Sequence, residues 1–348
     1  MLCSYRQHHL YFLRPILEEA KSLDTGTHVV MGIALGALAT VDPVVAGSSQ
    51  AAIGIMTATI IGSQIPDIDT VLKLKNNADY IRNHRGITHS LPMLAIWPLL
   101  ISSVLYLLFP AATFIHLLLW TFIAVGLHIF VDIFNAYGTQ AVRPFKETWV
   151  AFGFINTFDW FIFGSHVVAI AAWLLGSPVL ATFVTLYVIL ALYYVARFVT
   201  QRMIKHAVQN LIPDSEEIII ASTIHFFQWR VAVTTKDHYY VGRAFKRNIS
   251  IYEKFDRLPV PDNEIIRSAK KDKNLAAFIS FSKVYNWRIE EKLDGTYVTF
   301  TDLRYRSNGH YPFVAVVKLD DDLKIVSSYT GWIFSTEKLY KKLAPVSI

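Results

Sequence analysis

In GLHIFVDIFNAYGT, His128 and Asp132 stand four residues apart, a spacing that puts both side chains on one face of a helix. Asp67 and Asp69 follow Pro66 in QIPDIDT, and His84 and His89 bracket Arg85 in NHRGITHS. Residues two apart diverge on a helix, but a turn after Pro66 lets both carboxylates converge. GTHVVMG adds His28, and NTFDW adds Asp159. Imidazoles and carboxylates without a thiol suit Zn²⁺, Mn²⁺ or Fe²⁺, and this number of donors serves one or two ions. The one cysteine, Cys3, excludes an internal disulfide framework and a cysteine-based zinc knuckle.

The expected ligands are His28, Asp67, Asp69, His89, His128 and Asp132. A bound divalent ion would acidify a water and polarise a phosphoryl or carbonyl oxygen. His84 is expected to be a further ligand or a proton donor to a leaving group. Arg85 could grip an anionic oxygen at two points, and Asp159 could orient an imidazole. Each residue also has a plainer reading. His28 could decorate a helix start beside Thr25 and Thr27, and Asp67 and Asp69 could form a solvated turn. Thr88 and Ser90 could cap a helix with His89 merely beside them, Arg85 could sit at headgroup level, and His128 with Asp132 could be a satisfied pair.

These residues need scaffolding, and the chain supplies hydrocarbon. It is 348 residues long, 53% hydrophobic and only 17% charged. Segments free of Asp, Glu, Lys and Arg run 25–41, 43–66, 86–131 and 160–196. A crossing takes about 20 apolar residues, so the third and fourth segments each hold two, divided at Pro110 and at Gly176-Ser177-Pro178. The expectation is six spans, near 26–41, 45–64, 90–109, 111–134, 160–176 and 178–198. With six, residues 1–24 and the loops 65–89 and 135–159 share one side and carry nine Lys/Arg, while the opposite turns carry none. Positive charge marks the cytoplasm, so both termini are expected there. Every polar residue named above then falls at the cytoplasmic end of a span, where ionisable groups are costly and read as functional. The net charge of +6 reports topology rather than nucleic-acid binding.

Residues 1–24 lack a signal-peptide pattern and read as an extension or a surface helix. Residues 205–348 change character. They alternate in strand fashion, as in EEIIIASTIHFFQWRVAVTT, and predict a small, basic, mainly antiparallel β domain with hairpin signals at Asp294-Gly295 and Asn308-Gly309. The fold class expected is therefore an all-α polytopic membrane bundle over 25–200 followed by a soluble β domain.

The ordered set GTHVVMG, IPDID, HRGITHS and HIFVDIFNAYGT resembles the bacterial YdjM-like family of inner-membrane proteins, over about residues 24–200. That resemblance implies a metal-dependent hydrolase in the bacterial inner membrane. It also implies a distant similarity to zinc-dependent phospholipase C and P1-type nucleases, and so to phosphoester chemistry. The matching polar positions are His28, Asp67, Asp69, His84, His89, His128 and Asp132. The expected partners are the bilayer and a phospholipid or lipid-linked phosphate substrate; the oligomeric state stays open. The alternatives are a metal transporter or sensor using the same ligands, or a structural protein whose metal ties helix ends together. Transport would need polar groups continuing to the far face, and His116 and Asp42 are among the few there.

Overall fold

The computed structural model describes residues 25–307 and 309–344. Residues 1–24 and Asn308, with the readings attached to them, lie outside the described residues. The helical part opens with α1 (Thr25–Ala39), a short α2 (Pro43–Ala46) and α3 (Ser49–Gly62). Asp42 and Ser48 accept hydrogen bonds from the Val44 and Ala51 amides, so each start has the oxygen-bearing cap that orphan N–H groups require. A 3-10 helix (Ile65–Leu74) leaves α3 at 48°. α4 (Asn77–Asn83) follows, and then α5 (Leu91–Leu108), α6 (Phe114–Asp132), α7 (Trp160–Leu174) and α8 (Val179–Leu211). Pro110 and the 176–178 segment lie in the two hairpin turns, with Gly176 at φ +95°.

α5, α6 and α8 are long and apolar enough to cross a membrane, and α3 with the bent Ile65–Leu74 helix makes a fourth candidate. α1 and α7 occupy the places expected of spans but are shorter. At 15 residues, α7 rises only about 22 Å against a hydrocarbon core of about 30 Å. By length and composition, three or four of the six expected spans therefore qualify as candidate crossings.

Small residues set the helix spacing. His28, Gly32 and Gly36 lie on one stripe of α1. A Cβ on Gly32 would meet the Ile60 Cα at 2.8 Å, and one on Gly36 would meet the Met56 Sδ at 2.5 Å. The Gly-x-x-x-Gly pattern thus lets α1 lie against α3, as small residues do in membrane bundles. Gly62 plays the same part between α3 and α6, where an added Cβ would come within 3.1 Å of the Ala124 Cβ. His28 and His128 each sit one turn beyond such a close approach.

Two four-stranded antiparallel meanders follow. The first is β1 (Glu217–Ser222), β2 (Gln228–Thr234), β3 (His238–Phe245) and β4 (Asn248–Asp256). After α9 (Glu264–Ala269) and α10 (Lys273–Phe281) comes the second: β5 (Tyr285–Lys292), β6 (Gly295–Asp302), β7 (Phe313–Leu319) and β8 (Ile325–Trp332), closed by α11 (Thr336–Leu343). The Asp294-Gly295 signal marks the tight β5–β6 turn, where Lys292 pairs with Gly295 and Gly295 takes φ +128°.

Each sheet is anchored to the helical part. α8 continues past its apolar stretch to Leu211, and its C-terminal end packs with β1–β3 in one core around Ile204, Val208, Trp229 and Val231. Arg197 is buried there, donating to the carbonyls of Phe154 and Phe226 with its guanidinium over the Trp229 ring. The second sheet takes Ile81 of α4 and Tyr137 into its own core. Tyr137 stacks on Tyr305 at 5.7 Å, and the Asn77 amide donates to the Thr330 carbonyl. Both loops that carry the candidate chemistry, 65–89 and 135–159, are thereby clamped to the β region.

Candidate metal centre

At the Asp132 end of α6, four side chains from three parts of the chain converge. Asp67 comes from the Ile65–Leu74 helix, His89 from the NHRGITHS loop, and His128 and Asp132 from one face of α6, as their spacing predicts. One donor atom of each lies within 4.8 Å of all the others. His89 Nε2 is 3.2 Å from His128 Nε2, 3.3 Å from Asp132 Oδ2 and 3.5 Å from Asp67 Oδ1. His128 Nε2 is 3.5 Å from Asp132 Oδ2 and 3.8 Å from Asp67 Oδ1. A tetrahedral Zn²⁺ with donors at 2.0–2.1 Å would hold them about 3.3–3.4 Å apart. The donor set therefore fits one divalent ion in chemistry and in size.

The imidazole tautomers agree. His128 Nδ1 lies 2.7 Å from the Ser63 carbonyl, which can only accept, so its proton sits on Nδ1 and Nε2 offers a lone pair inward. The Thr88 hydroxyl donates to Asp69 Oδ2 at 2.7 Å and lies 3.1 Å from His89 Nδ1, which can then donate to it. His89 Nε2 is likewise left as a lone pair. Two such lone pairs facing each other at 3.2 Å repel unless a cation or a proton lies between them. Outer partners that fix ring orientation in this way are usual for metal-bound histidines.

A second group stands beside the first. Asp67, Asp69 and His84 also offer donor atoms within 4.8 Å of one another. Asp69 is heavily engaged, taking the Arg85 amide at 2.7 Å and the His84 Nδ1 at 2.8 Å besides Thr88. It organises the loop as much as it offers a ligand. Burial holds the His84 imidazole below its usual pKa, with the Arg85 charge acting the same way against the pull of Asp69.

His28 reaches the edge of the first group. Its ring stacks on His128 with centroids 4.0 Å apart, and its Nε2 is 3.7 Å from Asp132 Oδ1. Arg85 sits in the left-handed region at φ +57°, and its Nε is 3.2 Å from Asp132 Oδ2. The two-point grip on a substrate oxygen expected of Arg85 is thus preceded by an ion pair with a candidate ligand. Asp159 departs further from expectation. Its carboxylate caps α7 through the Phe161 and Ile162 amides and takes the Tyr193 hydroxyl at 2.7 Å, and none of these partners is an imidazole. A carboxylate one residue before a helix meets orphan N–H groups first. Ser90 precedes α5 without a side-chain cap bond, and Thr88 serves Asp69 instead of a helix end. Sequence reasoning passed over Ser63, since a backbone carbonyl leaves no residue-type signal. It also passed over Asn135, whose side chain accepts the Tyr137 and Gly138 amides and shapes the turn after Asp132.

Most of this cluster is shut away. His28, Asp69, Arg85, His89, His128 and Asp132 are buried. The side chains of Asp67 and His84 keep 20% and 23% exposure, so a narrow polar window opens on their side.

The model of the YdjM inner membrane protein family matches residues 23–204, more than half of the chain and all of the cluster. The chain belongs to the YdjM family. As a YdjM protein with apolar helices of spanning length, it is an inner-membrane protein. Two further models match later segments: the YfhP middle domain at 213–255, over β1–β4, and the YfhP C-terminal alpha/beta plait domain at 264–343. A relative from Bacillus subtilis (strain 168), described as uncharacterized protein YfhP, is 58% identical over 327 residues, covering 94% of this chain and all of its own. No solved structure matches the chain.

Proposed function

We propose that this YdjM protein is a metal-dependent hydrolase that cleaves a phosphoester of a membrane-associated substrate at the cytoplasmic face. The observation carrying the proposal is the Asp67–His89–His128–Asp132 quartet, buried, thiol-free and spaced for a Zn²⁺-like ion. When bound, such an ion supplies a Lewis acid and lowers the pKa of a coordinated water towards 7. The remaining residues bind, orient and move protons. Asp69 and Thr88 hold His89 in register. Arg85 sets Asp132 and adds positive charge beside it, which favours an anionic phosphoryl group. His84, at the window with its Nδ1 turned to Asp69, is placed to take a proton from the attacking water as the water oxygen displaces the leaving oxygen from phosphorus, and the leaving oxygen takes its proton from solvent.

The same reading extends to topology. α1 and α7 complete six membrane passages, each shorter than the other four. The nine Lys/Arg of residues 1–24 and the two short loops then lie in the cytoplasm with both termini. The β region faces the cytoplasm and clamps the loops of the centre.

The test uses full-length protein purified in detergent. Metal analysis should find one or two divalent ions per chain, lost in His128→Ala and Asp132→Asn, together with hydrolysis in a screen of phosphodiesters and phospholipids. Full metal retention in both variants would remove the centre. Metal that is lost with no hydrolysis by the wild type would move the assignment to a structural or transport role.

A further inference from the structure

A cavity of about 540 Å³ lies against the other side of the centre. It is walled by α1, α6, α7, α8 and the 152–159 segment, and its lining is overwhelmingly apolar. Its size is within the roughly 300–1,000 Å³ usual for small-molecule sites. His28 and Asp132 form part of its wall, so cavity and candidate metal centre share a boundary. Along α8 the lining runs from Phe198 to Tyr187, a rise of about 16 Å, into the depth of the membrane. Phe130, Val195 and Phe198 line it and are themselves 55%, 60% and 39% exposed, on helices long and apolar enough to span the bilayer. The cavity is therefore continuous with the lipid-facing surface.

Its deep end is not purely hydrocarbon. His166 is 2% exposed, and its Nδ1 lies 2.8 Å from the Ile162 carbonyl, which leaves Nε2 as an acceptor. That Nε2 and the buried Tyr187 hydroxyl have no hydrogen-bond partner among the described residues, and the two rings stand edge to face at 6.2 Å. Both line the cavity. Neither residue takes part in the hydrolysis proposed above.

We infer that this cavity receives one acyl chain of a membrane phospholipid, entering sideways between α6 and α8 and bringing its phosphate to the His28–Asp132 wall. The inference rests on the hydrolase reading for what happens to the phosphate, but not for the binding of the chain. The bilayer supplies the occupant, the apolar lining selects the chain, and the His166–Tyr187 pair marks the deep end that the chain reaches. The headgroup then lies on the cavity side of the centre, while water exchanges through the Asp67–His84 window.

The test places full-length protein in nanodiscs of phosphatidylglycerol doped with a phosphatidylglycerol analogue carrying a diazirine in one acyl chain. After irradiation, adducts are mapped by mass spectrometry. Adducts are expected on the α7 and α8 peptides bearing His166, Tyr187 and Tyr194. Ala191→Trp and Val195→Trp, which fill the cavity away from the centre, should lower that labelling about tenfold while metal content stays at the wild-type level. Labelling confined to outward residues such as Leu107 and Leu192 would overturn the inference, as would unchanged labelling in a tryptophan variant that keeps its metal. Metal analysis and the label read different things. A protein that labels as expected but holds no metal would sink the hydrolase reading and leave the lipid site standing.

Discussion

The Nε2 atoms of His89 and His128 face each other across 3.2 Å, and each ring has its other nitrogen turned to an oxygen outside the cluster. One oxygen is the Ser63 carbonyl at the end of α3; the other is the Thr88 hydroxyl, held by Asp69. The centre is therefore oriented from outside its own ligands, and these outer contacts can be tested separately from ligand loss.

Thr88→Val should keep the fold and the ligands but release His89 from its orientation. Metal affinity is expected to fall about 10–100-fold, the usual cost of removing an outer partner. Competition with a chromophoric chelator measures this, and an affinity equal to wild type would show that Thr88 does not orient the ring.

Asp159→Asn separates two readings of one carboxylate. With the side chain capping α7 and accepting from Tyr193, the variant should lower the thermal unfolding midpoint while metal content stays unchanged. An amide oxygen still caps, so the loss of stability should be about 1 kcal/mol or less. A variant that loses metal would return Asp159 to the outer shell of the centre.

Much of this was legible in advance because ionisable side chains are conspicuous against hydrocarbon. The i, i+4 spacing of His128 and Asp132 placed both on one face, and the breakers at Pro110 and Gly176 marked both hairpin turns. What stayed hidden depends on tertiary contact. Asp159 has the same residue type whether it caps a helix or orients an imidazole. The length of a helix within an uncharged run is set by its caps and breaks, which is why α1 and α7 come out shorter than a span. The β region reads as one alternating stretch, yet it folds as two meanders, because the helical insert at 264–281 interrupts strand pairing.

Gly32→Val inserts a branched side chain where only 2.8 Å separates an added Cβ from the Ile60 backbone. Overpacking of this kind costs about 1–3 kcal/mol, read as a lower unfolding midpoint in detergent. Since α1 must move away from α3, His28 should also retreat from His128. A stability equal to wild type would show that α1 does not depend on this close approach.

Tyr137→Ala removes the stacks on Tyr305 and Phe281 that tie the 135–159 loop to the second sheet. The interaction is worth about 0.5–1.5 kcal/mol beyond buried area. Limited proteolysis should then cut faster between α9 and β5, with the helical part intact. Cleavage at the wild-type rate would mean that the Asn77 and Ile81 contacts of α4 suffice to hold the sheet.

Reporter fusions after Pro110 and Ser177 should both read extracytoplasmic. A cytoplasmic signal at either would exclude the six-passage arrangement.

The unbroken run of α8 has a mechanical consequence. Its 33 residues span about 50 Å, of which a bilayer core takes about 30 Å, so roughly 20 Å of the same rod stands beyond that core. The first sheet is bolted along that shaft and has no swivel. Whatever tilts the shaft within the bilayer, including a change in lipid thickness, must swing the sheet with it. That motion would pull at the Gly153 and Phe152 carbonyls, to which Ser222 and Gln201 are tied.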